Sequence, residues 1–321
     1  METWLVTGGA GFIGSAFLRL LRARRPQLRL VNLDLLSYAA DLRRLKDLQE
    51  GAGYRFVQGD VCDRRLLDAL FAQEDFRCVV HFAAQSHVDR SIGDGAEFFR
   101  TNTLGTQQLL EAARRAWGPG AGRRRFLLVS TDEVYGALGA EGRFTEDSPL
   151  RPNSPYAASK AGADLAALAF CRTHGFPALV TRCCNNFGPL QHGEKLLPTL
   201  CRHAAAGRAL PLYGSGEQMR EWIHVSDHCR GLLLCLEHGQ PGRPYNLGSG
   251  LELSNRRVAS LVLEEAGLPA ELLVHVQDRP GHDFRYALDH GRAAGELGFA
   301  PEHSGLDQLR STIRDYLRAP S

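Results

Sequence analysis

The chain has 321 residues, 44% of them hydrophobic and 23% charged, which is enough for a full core and a second, smaller lobe. A formal net charge of +2 gives no electrostatic reason to expect nucleic acid or a membrane surface as partner. Eight cysteines without a C-x-x-C pair, two of them adjacent at Cys183-Cys184, speak against a metal site or a disulfide framework.

The N-terminus enters a strand directly, without a basic flank and apolar leader, and no apolar run approaches the ~18 residues of a membrane span. These features predict a soluble, cytoplasmic protein with free thiols. Strand-like runs follow in order: TWLVT (3–7), LRLVNL (28–33), YRFV (54–57), CVVHF (78–82), RFLLVS (125–130) and ALVT (178–181). Helical stretches at 12–24, 64–73, 97–116 and 155–174 alternate with them. This alternation predicts an α/β fold, a doubly wound, mostly parallel Rossmann-type sheet. Beyond residue 185 the pattern loosens into loop signals at 185–189, 213–218 and 247–253, with helices expected at 194–206, 226–238, 255–266 and 305–318. We read 1–185 as the larger, Rossmann-type domain, to which 220–249 returns, and 186–219 with 250–321 as a smaller lobe. Segments 118–125 and 290–321 carry no motif.

The first strand runs into TGGAGFIGS, with Gly8, Gly11 and Gly14 spaced for a tight turn that seats a pyrophosphate on the next helix. Asp34 ends the second strand twenty residues after Gly14; it can accept hydrogen bonds from both ribose hydroxyls and repel a 2′-phosphate, favouring NAD over NADP. The plainer reading of Asp34 is a strand cap. Asp60, after the third strand, can either hold an adenine amino group or close a turn.

The fifth strand ends in STDEVYG (130–136), with two adjacent carboxylates. Consecutive strand residues face opposite ways, so Asp132 and Glu133 can serve one substrate only if the chain leaves the strand by Asp132. Tyr156 and Lys160 stand four apart on one helix face, where the ammonium can lower the phenol's pKa and hold a nicotinamide ribose. The alternative is an incidental surface pair. Against it, lysine occurs only at 46, 160 and 195, beside 35 arginines, so a retained lysine suggests a need for that amine.

With HFAAQSHVDRSI (81–92), RCCNNFGP (182–189), EKLLP (194–198), REWIHVSDHCRG (220–231) and DRPGHDFRYALD (278–289), these motifs resemble the nucleotide-sugar branch of the extended short-chain dehydrogenase/reductase superfamily. Within that branch the chain is most similar to the dTDP-glucose 4,6-dehydratases, over nearly its whole length. The resemblance implies a homodimer and a nucleotide-diphosphate hexose substrate. It also implies catalytic roles for Thr131 (bonding the sugar's C4 oxygen), Asp132 (acid), Glu133 (base), Tyr156 and Lys160. An NAD site follows from it at Gly8, Gly11, Phe12, Ile13 and Gly14, with Asp34, Leu35, Ser37, Asp60 and Val61. Ala83, Ala84, Gln85, Thr101, Tyr156, Lys160 and Asn186 complete that site. For the substrate it implies Ser86, Thr131, Asn185, Lys195, Leu196, Pro211 and Tyr213, with Asn255, His282 and two arginines, Arg220 and Arg279, suited to a diphosphate. Gln85 departs from the family, which more often has Glu there.

Three alternatives stay open. A UDP-glucose dehydratase shares the triplet, because thymine and uracil differ by one methyl. A 4-epimerase or decarboxylase would share the glycines and the Tyr/Lys pair but lack the Asp-Glu step. A non-catalytic NAD-binding protein would be expected to have lost one of these groups.

Overall fold

The computed structural model describes residues 1–48, 53–120 and 122–318. Seven parallel strands form one sheet: β1 (Thr3–Thr7), β2 (Arg29–Asp34), β3 (Tyr54–Gln58), β4 (Phe76–His81), β5 (Arg125–Thr131), β6 (Ala178–Cys183) and β10 (Pro244–Leu247). Their order is β10-β6-β5-β4-β1-β2-β3. Side chains alternate between its two faces. Trp4, Val6, Leu30, Val80, Leu127 and Leu179 pack toward α1 (Phe12–Arg24), α8 (Val225–His238) and α10 (Gly291–Leu297). Leu5, Val31, Val79, Phe126, Leu128 and Val180 pack toward α2 (Arg64–Gln73), α5 (Gly105–Trp117) and α6 (Pro155–His174). Burial on both faces is why these strands read as continuous apolar runs. The strand order reverses between β1 and β4, and a crevice opens there at the carboxyl ends of the strands.

The expected helix at 97–116 is interrupted. After α3 (Val88–Gly93), α4 (Gly95–Phe98) runs into a widened π turn, Phe99–Leu104, before α5 begins. The turn points Asn102 inward, where its Oδ1 accepts from the Gln85 amide at 2.8 Å and its Nδ2 donates to the Gln85 carbonyl at 3.0 Å and Ser159 Oγ at 2.8 Å. The widening therefore fixes the loop after β4, in line with the frequent use of π turns at functional sites.

In the smaller lobe, β7 (Asn185–Phe187), β9 (Met219–His224) and β11 (Glu252–Ser254) form one sheet, and β8 (Leu210–Tyr213) pairs with β12 (Leu273–Val276). Helices α7 (Leu196–Ala205), α9 (Asn255–Ala266) and α11 (Leu306–Arg318) close around Phe187, Leu197, Trp222, Val258, Leu309 and Ile313. Strands β7 to β12 and helices α3 and α10 are not in the expected pattern; β7 lies in, and β11 overlaps, segments read as loops. No helix among the described residues is long and apolar enough to cross a membrane.

Candidate active site

The crevice is a cleft of about 350 Å³. Its first wall is the turn after β1. Gly8 has φ +72°, and a Cβ there would lie 2.6 Å from the Ala83 amide nitrogen; a Cβ on Gly14 would lie 2.3 Å from the Gly8 carbonyl oxygen. Only glycine fits these two crossings. Helix α1 begins at Gly11 with no side-chain cap, so its first amides are open to an anion. Phe12, Ile13, Leu35, Ser37, Val61, Ala83, Ala84, Gln85, Thr101 and Asn186 all line the same cleft.

Asp34 is buried at the end of β2, where its oxygens accept from the Ala10 and Leu36 amides, each at 2.8 Å. Burial raises its pKa, and those amides and Arg44 oppose the rise. A carboxylate has about four lone-pair sites, so two remain for a ribose. Asp60 accepts from the Cys62 amide at 2.8 Å and pairs with Arg100 at 2.6 Å, closing its turn while still lining the cleft. Burial works against its charge, yet the amide and Arg100 outweigh it and leave its pKa lowered. Arg44, which no motif marked, is buried and donates to the carbonyls of Ala39 (2.8 Å), Ala10 (3.1 Å) and Leu190 (2.9 Å), tying three loops together around this wall.

Strand β5 stops at Thr131, and Asp132–Tyr135 form a 3-10 turn. The chain thus leaves the strand where two adjacent acids need it to. Thr131 Oγ1 accepts from the Glu133 amide at 3.3 Å and donates to Asp132 Oδ1 at 3.2 Å. Asp132 is 1% exposed, and its Oδ2 has no partner. Burial first, then the Glu133 and Glu221 carboxylates, push its pKa well up, with Arg220 opposing. Burial also raises Glu133, but Arg279, Arg220 and Lys195 all favour its charge. Two carboxyls raised to different extents are the arrangement in which one can serve as acid and the other as base.

Glu221, unmarked by the sequence reading, is fully buried and accepts from the amides of Ser249 (2.6 Å), Gly250 (2.7 Å) and Leu288 (2.6 Å). That nest holds a third carboxylate close enough to disfavour charge on Asp132.

Helix α6 brings Tyr156 and Lys160 to the same cleft, its start fixed by Ser154 Oγ accepting from the Ala157 amide at 3.1 Å. One expectation needs correction. The Lys160 ammonium donates to the Val129 carbonyl at 2.8 Å and is not among the groups that set the phenol. Burial, then Glu133, raise Tyr156 well above its ordinary pKa, while Thr131 opposes. Burial lowers Lys160, and Asp164 opposes. Spacing put both on one helix face but did not fix where the flexible ammonium would point.

On the substrate side, Ser86, Asn185, Lys195 and Leu196 line the cleft, and Lys195 Nζ donates across it to the Ser86 carbonyl at 3.0 Å. Arg220, Arg279, His282, Asn255, Pro211 and Tyr213 are not in the cleft wall; they belong to the smaller lobe beside it. Arg220 donates to the Asp283 carbonyl at 3.0 Å and lies 4.5 Å from the centre of the Tyr286 ring. Arg279 reaches Asp89 at 3.3 Å but leaves its Nε buried without a partner. His282 Nδ1 meets Asp278 Oδ1 at 2.6 Å, and its ring stands edge-on to Tyr213 on β8, the strand that also carries Pro211. The Asn255 amide donates to the Gln218 carbonyl at 3.0 Å, and its side-chain Oδ1 is buried without a partner. Unmet polar atoms in this cluster mark places a polar ligand can satisfy.

A doubly wound sheet with a dinucleotide cradle and a Thr-Asp-Glu/Tyr/Lys set at its carboxyl edge defines a short-chain dehydrogenase/reductase of the extended, nucleotide-sugar type. The family model described as GDP-mannose 4,6 dehydratase matches residues 5–312. The dTDP-glucose 4,6-dehydratase of Streptomyces niveus is 48% identical over 97% of this chain and 92% of its own length. That of Actinoplanes sp. is 46% identical, covering 97% of each. The crystal structure of dTDP-glucose 4,6-dehydratase from Streptomyces venezuelae, with NAD and dTDP bound, superposes with a TM-score of 0.92 at 48% identity, over 98% of this chain and 97% of that one. UDP-glucose 4-epimerase from Thermotoga maritima, with UDP-glucose, superposes at 0.89 with 26% identity, over 99% of both chains. The chain belongs to the dTDP-glucose 4,6-dehydratase family.

Proposed function

We propose that this protein is an NAD-dependent dTDP-glucose 4,6-dehydratase, a hydro-lyase of deoxysugar biosynthesis that converts dTDP-glucose to dTDP-4-keto-6-deoxyglucose and water. The observation that carries the reading is the Asp132–Glu133 turn, two adjacent carboxyls at the end of β5 that burial raises to different extents. An epimerase has the same fold but needs no such pair. The Gly8–Gly14 cradle, the uncapped start of α1 and the free lone pairs of Asp34 fit NAD. NAD bound there supplies a two-electron acceptor for the sugar's C4 and returns the electrons to C6.

The side chains divide the proton work. Tyr156 takes the proton of the C4 hydroxyl as the phenolate, a form its burial disfavours, and Thr131 hydrogen-bonds the C4 oxygen. The resulting ketone acidifies the neighbouring C5–H, so Glu133 can remove that proton and return it to C5 once the electron pair has come back to C6. Asp132, kept protonated by its burial, gives a proton to the C6 hydroxyl, which leaves as water. Lys160 stands one turn along the same helix face, its ammonium on the Val129 carbonyl. Lys195, Arg220 and Arg279 supply positive charge for a diphosphate, with Arg279 Nε free to donate. Asn185, Ser86, Leu196, Pro211, Tyr213, Asn255 and His282 frame the rest of the nucleotide-sugar.

We place residues 1–184 with α8, β10 and α10 as the cofactor domain and the remainder as the substrate lobe; β9 and α10 depart from the expected bounds, because β9 pairs with β7 and α10 packs on the large sheet. Exposed Phe99, Leu104 and Leu165, on the π turn and α6, support a homodimer. Eight free cysteines support a reducing, cytoplasmic setting. Incubation with dTDP-glucose and UDP-glucose in competition tests the substrate: the reading expects the dTDP-sugar to lose water faster. Equal or preferential turnover of UDP-glucose would overturn the nucleotide assignment, and turnover of neither would overturn the activity.

A further inference from the structure

Arg182 on β6 and Asp164 on α6 form an ion pair sealed in the core, Nε to Oδ2 at 2.8 Å, with side chains 3% and 0% exposed. Asp164 lies one turn beyond Lys160 and two beyond Tyr156, on the same face of α6. The other arm of Arg182, Nη1, donates to Tyr135 Oη at 2.8 Å, and the Tyr135 hydroxyl donates to Asn246 Oδ1 on β10 at 2.8 Å. The guanidinium carbon stands 4.8 Å from the centre of the Tyr135 ring, which stacks on Phe144 at 4.9 Å. Tyr135 is the last residue of the 3-10 turn that begins with Asp132 and Glu133. None of the three lines the cleft.

Stability alone does not account for this pair. Removing two charges from water costs about as much as their attraction returns, so well-packed apolar residues would serve the core as well. The arrangement also spends a hydroxyl on Tyr135 where phenylalanine would keep the stacking. What it adds is fixed geometry. One guanidinium joins the helix carrying Tyr156 and Lys160 to the turn carrying Asp132 and Glu133.

We propose that Asp164, Arg182 and Tyr135 form a positioning relay that registers these two elements, so that oxidation at C4 and elimination across C5 and C6 address one sugar in one pose. This rests on the dehydratase reading above. The relay touches neither substrate nor cofactor and acts through the groups it aligns.

The test is Tyr135→Phe, which keeps the ring and its stacking but removes both hydroxyl bonds. Misplacing reacting groups by about 1 Å costs up to ~100-fold in rate, so kcat should fall about 10- to 100-fold while KM for dTDP-glucose stays within about twofold. Elimination should then lag oxidation, and the reduced-nicotinamide absorbance in the steady state should exceed that of wild type. Asp164→Asn, which breaks the ion pair while keeping its shape, should show the same signature. A merely structural role would lower Tm and the fraction of active protein without raising the reduced cofactor. Wild-type kcat and wild-type reduced-cofactor level in Tyr135→Phe would overturn the relay, as would a lower kcat with no build-up. If wild type itself releases no water from dTDP-glucose, the dehydratase reading fails instead.

Discussion

Asp132 and Glu133 are consecutive residues of one 3-10 turn, yet their carboxyl groups face opposite electrostatic surroundings. Asp132 is enclosed beside two other carboxylates, with Arg220 as the opposing charge. Glu133 meets Arg279, Arg220 and Lys195. Burial raises both carboxyls, Asp132 the more strongly, so of the two Asp132 is the one whose surroundings favour keeping a proton.

Asp132→Asn should trade activity for stability. Loss of a positioned acid reduces water release by about 10²- to 10⁴-fold. The folded-state pKa of Asp132 is raised above its unfolded value, so its stability contribution is complete below the ordinary carboxylate range and is lost as pH rises through the folded value. Asparagine removes that loss. Relative to wild type, the variant should gain more in Tm at pH 7 than at pH 4, at about 1.4 kcal/mol for each unit of the raised pKa. Thermal melts at the two pH values check this; an equal difference at both would contradict it.

Acid should destabilise the fold through two buried histidines. His81, between Thr7 Oγ1 (2.6 Å) and Thr106 Oγ1 (3.0 Å), and His228, beside Asn186 Oδ1 (2.9 Å), are each pushed down to about 3 by burial. The unfolded chain binds their protons from about pH 6.5 downward while the folded chain does not, so stability falls as pH falls through that window. Each should cost about 2 kcal/mol between pH 7 and pH 5. Urea midpoints across that range measure it, and His81→Gln should flatten the slope.

Gly8→Ala forces a side chain onto φ +72° and into the Ala83 backbone. The expected result is a chain that purifies with little NAD, read as released nucleotide after denaturation, and that loses about 1–3 kcal/mol of stability from backbone strain. Full NAD content in the variant would show that this crossing does not shape the cofactor site.

Arg279→Ala removes a guanidinium whose Nε has no partner in the protein. A hydrogen bond to a charged group is worth about 1.5–3 kcal/mol, so KM for dTDP-glucose should rise roughly 10- to 150-fold, while NAD binding is unchanged. Steady-state kinetics and cofactor titration separate the two effects.

Sequence and structure agree where neighbours in the chain are neighbours in space. Strands β1 to β6 were legible because they are buried on both faces, and the Gly8–Gly14 turn, the Thr131–Glu133 triplet and the Tyr156/Lys160 face are each set within a few residues. The π turn at Phe99–Leu104 was not legible, because it keeps the helical pattern while widening the backbone. Arg44, Glu221 and Arg182 were hidden for another reason. Arg44 bonds carbonyls 34 and 146 residues away, and Arg182 reaches Tyr135 across 47. Their roles come from tertiary placement: Arg182 and Glu221 stand inside motif stretches, but nothing local shows which partner each takes.

The most direct test is mass spectrometry of product formed from dTDP-glucose deuterated at C4. The account predicts loss of one water and deuterium recovered at C6 of the same molecule. Deuterium still at C4, with no water lost, would contradict it, and Asp132–Glu133 would then be a turn rather than an acid–base pair.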